Sequence, residues 1–347
     1  MKFLENVSLA PYTSFKIGGP ASFFCEVRNK EELKEAIAWA VEKSLPVFVL
    51  GGGSNILVSD KGFGGLVIRN SINGIDVSGN FVTVGAGEDW DKFVEFAVSR
   101  NLAGIESLSG IPGTAGAAPV QNIGAYGKSV AKLIQSVSAF DVKTGKEINF
   151  SNKKCEFGYR TSVFKRNPGR YAITGATFTF VPGGSPKLAY HELKNYFDAD
   201  ASPTLQAVRE AILKIRSGKG MVFMGEELHS SVGSFFTNPA ISETVLENLK
   251  LKVAQCKTTK NCCADPWFWP RSDGGVKISA ACLIECAGFE KGMRVGNVGI
   301  SSLHSLALIN YGGASAEEVL ALSGDIQNKV KEKFSIELEI EPQLVGF

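Results

Sequence analysis

Apolar residues recur at four-residue spacing over 29–43, where Leu33, Ile37 and Val41 mark a helix. Asn29, with Glu32 three residues on, has the chemistry of its N-cap. The run Pro46-Val47-Phe48-Val49-Leu50 is fully apolar and reads as a buried strand. It enters Gly51-Gly52-Gly53-Ser54-Asn55 and leaves as a second apolar run, Ile56-Leu57-Val58. Strands are predicted near 66–69 and 81–85. A second helix over 89–101 puts Trp90, Phe93, Val94 and Ala97 on one face. Strands alternating with helices favour α/β layers in the first half.

Further along, 134–142 alternates as a strand, Lys143-Thr144-Gly145-Lys146 turns, and 147–150 returns as a hairpin. Another strand spans 171–180. Ser202 as N-cap, with Pro203 at the first helical position, predicts a helix with Leu205, Val208, Ile212 and Ile215 as its buried stripe. It ends in Arg216-Ser217-Gly218-Lys219-Gly220, a basic, glycine-containing boundary between domains. The last third predicts helices over 242–250 and 279–287 and a strand over 306–310. The capping box Ser315-Ala316-Glu317-Glu318 opens a helix that buries Val319, Leu322, Ile326 and Val330. A strand over 336–340 closes the chain, with Glu337, Glu339 and Glu341 alternating on one face.

A chain of 347 residues is too long for one core and predicts two or three domains. The formal net charge of +2 implies neither nucleic acid nor an acidic membrane surface as partner. No apolar run reaches the length of a bilayer span, and the N-terminal residues have charges within them and no signal-peptide core. A reducing cytoplasm is therefore expected. The seven cysteines stand at 25, 155, 256, 262, 263, 282 and 286, without a CxxC pair, and the three histidines are isolated. Free buried thiols, and no metal, are the expectation.

Two glycine-rich stretches carry the candidate chemistry. From Gly104 to Gly127 the chain reads GIESLSGIPGTAGAAPVQNIGAYG. Pro112 and the glycines forbid a regular helix, and the stretch is too apolar for a flexible linker. Ordered backbone lying close against something remains, either a ligand or simply another part of the fold. The Gly51–Asn55 turn follows a strand, where backbone amides form an anion-binding nest. It has neither GxGxxG nor GxxxxGK[ST], and no helix follows it. Two such nests suit a long diphosphate ligand gripped from two sides.

Five blocks together resemble the UDP-N-acetylenolpyruvoylglucosamine reductase family. They are Tyr12-Thr13-Ser14-Phe15-Lys16-Ile17-Gly18-Gly19, Gly51-Gly52-Gly53-Ser54-Asn55-Ile56-Leu57, the stretch from Gly110 to Gly127, Gly158-Tyr159-Arg160-Thr161-Ser162-Val163-Phe164-Lys165, and Gly233-Ser234-Phe235-Phe236-Thr237-Asn238-Pro239. They come in the family's order over nearly the whole chain. The resemblance implies an α+β protein with two α/β subdomains in a vanillyl-alcohol-oxidase-like FAD-binding fold and a smaller α+β substrate-binding domain. The implied boundaries are 1–70 joined by 335–347, then 71–218, then 219–334. It implies FAD, NADPH as co-substrate, a nucleotide-sugar substrate of peptidoglycan synthesis, and a cytoplasmic monomer. No His or Cys lies in either glycine stretch, so the flavin is expected to be held non-covalently.

By matching motif positions, the resemblance assigns Ser234 as proton donor, Arg160 as the arginine that stabilises the enolate, and Glu341 as the glutamate near the substrate carboxylate. Glu341 is followed by Pro342-Gln343 where the family usually has Val-Arg or a similar pair; the frame from Leu338 favours it over Glu339. For FAD the resemblance points to Gly51, Gly52, Gly53, Ser54, Asn55, Ile56, Gly113, Thr114, Gly116, Gln121 and Ala125. For the substrate it points to Tyr190, Lys219, Asn238, Lys291 and Tyr126, and more weakly to Lys277. Tyr190 matches the mobile-loop tyrosine of the longer of the family's two types. Read without the resemblance, Ser234 is a turn serine, Arg160 a surface or ion-pair arginine, and the glutamates a solvated face. Another FAD enzyme of the same fold, an alcohol or sugar oxidase, and a colourless nucleotide-sugar-binding module are the competing readings.

Overall fold

Asn29 caps helix α1 (Lys30–Glu42), its side-chain oxygen accepting the Glu32 amide at 2.8 Å. The computed structural model describes residues 1–188, 190–198, 201–222, 230–259, 263, 266–271 and 274–347. In α1 the buried face is Leu33, Ala36, Ile37 and Ala40, whereas Val41 is 49% exposed. Two steps of four residues overshoot a 3.6-residue turn by about 80°, which carries Val41 off the face that Leu33 defines.

The chain forms two compact units, the first made of Met1–Ser8, Pro20–Gly53 and Gly62–Gly225. Its first sheet is built from β1 (Leu4–Ser8), β2 (Pro20–Val27), β3 (Val47–Leu50) and β5 (Phe63–Asn70), in the order β1-β2-β5-β3. Both pairings of β5 are parallel, as alternating strands and helices predict, and β1 adds an antiparallel edge. The second sheet is wholly antiparallel. It runs Glu147–Ser151, Ile134–Asp141, Tyr171–Thr179, β7 (Phe81–Gly85), β6 (Ile75–Ser78). Helix α2 (Trp90–Ser99) lies on it through Trp90, Phe93, Val94 and Ala97, the expected face, and Phe93 meets Phe178 at 5.0 Å between ring centres.

Three helices follow: α3 (Val163–Arg166), α4 (His191–Tyr196) and α5 (Leu205–Gly218). Thr204, not Ser202, caps α5, its hydroxyl accepting the Ala207 amide at 3.1 Å. The buried face of α5 is Leu205, Val208, Arg209, Ala211, Ile212 and Arg216, so the predicted stripe omitted two arginines and included a half-exposed Ile215.

The second unit gathers Leu9–Gly19, Ser54–Lys61 and Glu226–Phe347. It holds α6 (Glu243–Thr259), α7 (Ala280–Cys286) and α8 (Ala316–Phe334) beside a four-stranded sheet that includes Ser230–Ser234 and Ala307–Asn310. Both hydrogen bonds of the predicted capping box form at Ser315 and Glu318, and the Asp60 carboxylate accepts the Ala316 and Glu317 amides at 2.9 and 3.1 Å. That carboxylate suits the positive end of the α8 dipole. Phe15, Ile17 and Leu57 are buried in the core of this unit, with Val319, Leu322, Ile326 and Val330 of α8.

The predicted strand over 336–340 is not one. Ile336 and Leu338 are buried and Glu337 and Glu339 exposed, but regular pairing begins only at Gln343–Val345, which runs parallel to β4 (Ile56–Val58). That pairing joins 335–347 to the 1–70 region, as the sequence boundaries have it, and the compact unit that holds both segments also holds 226–334. Among the described residues no helix is long and apolar enough to cross a membrane.

Candidate active site

In the first unit the two glycine segments touch. Gly51 to Gly53 leave β3, and a Cβ on Gly52 would stand 2.7 Å from the Gly113 Cα, closer than real Cβ atoms come. A Cβ on Gly51 would stand 2.7 Å from Thr114 Oγ1, and one on Gly116 would stand 2.4 Å from the Ala86 Cβ. Gly53 and Gly113 take φ of +62° and +117°, the region that favours glycine. Main chain holds the second segment from behind. The Trp90 amide donates to Gly113 O at 3.0 Å, Ala115 N to Glu88 O at 2.8 Å, and Gly116 N to Ala86 O at 2.9 Å. The result is a cradle of bare backbone that side chains would fill, and it fits a dinucleotide lying against main-chain amides. Ser54, Asn55 and Ile56 continue the chain into the second unit, where Asn55 O accepts the Gln343 amide at 3.0 Å.

Beyond Gly116 the same stretch becomes polar. Gln121 is half-buried, and Asn122, at φ +50°, donates to Gly158 O at 2.8 Å while accepting the Ala131 amide at 3.0 Å. Gly124 and Ala125 pair with Lys128 and Ser129 around a tight turn at Tyr126. Arg160 sits at the tip of the Gly158–Thr161 turn with φ +54°, and its guanidinium returns to donate to Gly124 O at 2.8 Å. Arg160 is thereby tied to the end of the glycine stretch rather than left on the surface.

The Tyr126 ring stands edge-on to Tyr190 at 5.5 Å between centres. Burial pushes the Tyr126 phenol up to about 12, with the nearby Arg216, which hydrogen-bonds it, pulling the other way. Burial, helped by Glu192, also carries Tyr190 up to about 12. Lys219 Nζ meets both Glu192 carboxylate oxygens at 2.7 and 2.8 Å.

Two α5 arginines shape this corner, and the sequence reading missed both. Arg216, buried with its pKa lowered by that burial, donates to Gly110 O at 3.2 Å and Met221 O at 2.9 Å. Arg209 forms a bidentate pair with Asp91 at 2.6 and 2.7 Å, and Asp91 also accepts the Gly110 amide at 2.6 Å. Their signal was available: they stand seven residues apart, two turns, in phase with the apolar stripe of α5.

In the second unit, Ser234 ends its strand just after Gly233, at φ +75°, where the register with Ala307–Asn310 shifts. The next residue binds the C-terminal segment, since Phe235 O accepts the Glu341 amide at 2.9 Å. Ser234 and Glu341 thus lie in adjoining segments. Glu341 is 7% exposed whereas Glu337 and Glu339 face solvent, so the three do not share a face, and Glu341 is the buried one. Asn238 accepts the Ala280 amide at 2.9 Å at the start of α7. Lys291 is half-exposed, 3.8 Å from Glu285, and Lys277 stands over the Trp269 ring at 5.3 Å. The free-thiol expectation fails at one pair, because Cys263 and Cys282 form a disulfide; Cys262 lies outside the described residues.

The chain is 39% identical over 348 residues to the UDP-N-acetylenolpyruvoylglucosamine reductase of Streptomyces coelicolor, covering 99% of this chain and 90% of that one. It is 40% identical over 354 residues to the enzyme of the same name from Thermobifida fusca, covering 99% and 98%. The chain belongs to the UDP-N-acetylenolpyruvoylglucosamine reductase family.

Two domain families match within it. Residues 21–151 match the FAD binding domain, which spans both glycine segments of the cradle. Residues 226–345 match the C-terminal domain of UDP-N-acetylenolpyruvoylglucosamine reductase, which holds Ser234, Asn238, Lys291 and Glu341. The crystal structure of the Thermus caldophilus UDP-N-acetylenolpyruvylglucosamine reductase superposes with a TM-score of 0.68 at 26% identity, over 99% of both chains. As a member of this reductase family the chain is an FAD-dependent oxidoreductase of the expected α+β fold.

Proposed function

We propose that this enzyme reduces the enolpyruvyl ether of UDP-N-acetylenolpyruvoylglucosamine to the lactyl ether of UDP-N-acetylmuramate, with NADPH as electron source, in the cytoplasmic synthesis of peptidoglycan precursor. The observation that carries the reading is full-length identity to reductases of that name, with both glycine segments inside the matched FAD domain and packed against each other. FAD is assigned to Gly51, Gly52, Gly53, Ser54, Asn55, Ile56, Gly113, Thr114, Gly116, Gln121 and Ala125. Residues 1–70 with 335–347, and 71–218, serve the cofactor; 219–334 serves the substrate. The protein acts as a monomer.

When bound, FAD supplies a hydride to the terminal vinyl carbon. What remains for the protein is the negative charge gathering on the carboxylate and the proton needed by the adjacent carbon. The Arg160 guanidinium balances that charge. Glu341 orients the carboxylate end, and its burial favours it over Glu339 for the role. Ser234 delivers the proton. A serine is a poor acid in water, so the transfer depends on the charge developing on the substrate. Tyr190, Lys219, Asn238, Lys291 and Tyr126 hold the nucleotide sugar. Lys219 exchanges its Glu192 partner for a diphosphate oxygen, which its half-exposed position allows.

The test separates the two half-reactions. Ser234→Ala keeps its flavin, is bleached by NADPH, and turns over about 10²–10⁴ times more slowly, the range of a lost general acid. Turnover at the wild-type rate would remove the proton donor from the scheme. Rapid recolouring by oxygen together with oxidation of a sugar hydroxyl would point instead to an oxidase.

A further inference from the structure

Five of the seven cysteines fall within 256–286, and three of their sulfurs meet in the core of the second unit. Cys282 and Cys286 lie four residues apart on α7 and so share one face. Cys263 comes from the segment before it. Its sulfur is bonded to that of Cys282 and stands 3.4 Å from that of Cys286. All three sulfurs lie within 4.8 Å of one another, and all three residues are buried.

Cys263 is held there by more than the bond. It adopts φ +66°, which non-glycine residues seldom take, and its amide donates to the Glu285 carboxylate at 3.2 Å. Cys256 of α6 belongs to the same core, its thiol 3.7 Å from Cys286 O. The other two cysteines differ. Cys25 and Cys155 are buried apart from the cluster, and burial pushes each thiol up to about 12.

A disulfide uses two sulfurs and gives no reason for the third at 3.4 Å, nor for a fourth in the same core. Thiolate coordination does. Metal–sulfur bonds of about 2.3 Å at tetrahedral angles put the sulfurs about 3.8 Å apart, a spacing near the 3.4 Å of Cys263 and Cys286 and open to the Cys263–Cys282 pair once its bond is broken. We propose that, once the Cys263–Cys282 disulfide is reduced, Cys263, Cys282 and Cys286 hold a soft divalent metal ion of the zinc class, departing from the expectation of no metal. Reduction by a dithiol moves two electrons and two protons onto the two sulfurs, and the dithiol leaves as its own disulfide. Binding the ion then releases the three thiol protons to solvent. The ion ties Cys263 to α7, a structural role outside the reduction chemistry.

The full-length protein is reduced with a dithiol, freed of it by gel filtration under argon, checked for complete reduction by thiol titration, and titrated with cobalt(II). The proposal predicts a thiolate-to-cobalt charge-transfer band saturating at one ion per chain, reversed by zinc. Cys286→Ser, which leaves the disulfide pair intact, loses the band. Far-ultraviolet circular dichroism in the same cell guards against misfolding: a reduced chain that unfolds and is restored by the ion also supports a site. A fully reduced chain without the band, a band that persists in Cys286→Ser, or an unfolded reduced chain that the ion does not restore would overturn the proposal.

Discussion

The glycine cradle and the charged corner around α5 belong to one unit and are built in opposite ways. The cradle is main chain with side chains removed, held by amide-to-carbonyl bonds such as Gly116 N to Ala86 O. The corner is built by charged side chains: Arg209 on Asp91, Arg216 on the Gly110 carbonyl and Tyr126, Lys219 on Glu192. The first fails when an atom is added, the second when a charge is taken away. A cofactor-binding surface that must meet a long ligand closely tolerates no extra carbon, whereas a surface meant to receive charged groups needs its own charges arranged and neutralised beforehand.

The largest effect belongs to the cradle. Gly52→Val drives a branched side chain into Gly113, whose Cα would already be 2.7 Å from a bare Cβ. Overpacking of that kind costs about 1–3 kcal/mol, and here it falls on the cofactor surface. The variant is expected to purify folded but colourless, as absorbance and circular dichroism would show; a yellow Gly52→Val protein would mean that the segments do not form the flavin surface.

Next comes the corner. Asp91→Asn leaves Arg209, only 7% exposed, without its counter-charge. Discounted for the exposed third of Asp91, the cost is about 2 kcal/mol at neutral pH, measured by denaturant unfolding. Burial alone would raise the Asp91 pKa, but hydrogen bonds from Arg209 and the Gly110 amide hold it below the usual carboxylate value. A depressed folded pKa contributes stability that is present above the unfolded value, about 3.9, and lost as pH falls through the folded one. The wild type and Asp91→Asn should therefore converge in strongly acid solution and differ at neutral pH. A constant gap would mean that Asp91 acts by shape and not by charge.

The smallest effect sharpens the contrast. Tyr126→Phe removes one hydrogen bond to Arg216, worth about 1 kcal/mol. Both Tyr126 and Tyr190 have phenols raised to about 12, so their stabilising contribution is intact below about 10 and is lost as pH climbs toward 12. A phenolate titration should show Tyr126 and Tyr190 ionising late, and one late phenol fewer after Tyr126→Phe.

Most elements were legible because local signals and packing agreed. Asn29 and Ser315 cap their helices as predicted, the helix expected over 89–101 forms as Trp90–Ser99, and strands form at β7 and Tyr171–Thr179 as expected. The glycine segments could be paired only as a guess, since nothing in either one names the other; Gly52 against Gly113 is a tertiary fact. The α5 arginines were hidden because a charged side chain reads as solvent-facing, while burial here depends on partners over a hundred positions away, Asp91 and Gly110. Similarly, 336–340 alternates like a strand, but pairing starts only at Gln343, where β4 offers an edge.

The central claim is that a flavin on this backbone cradle delivers reducing power to an enolpyruvyl nucleotide sugar. The most direct measurement is the visible spectrum of the purified protein under argon. The account predicts a yellow protein, bleached by NADPH, whose colour returns on adding UDP-N-acetylenolpyruvoylglucosamine with one lactyl ether formed per flavin. A colourless protein, or a bleached flavin that the enolpyruvyl substrate leaves bleached, would contradict it.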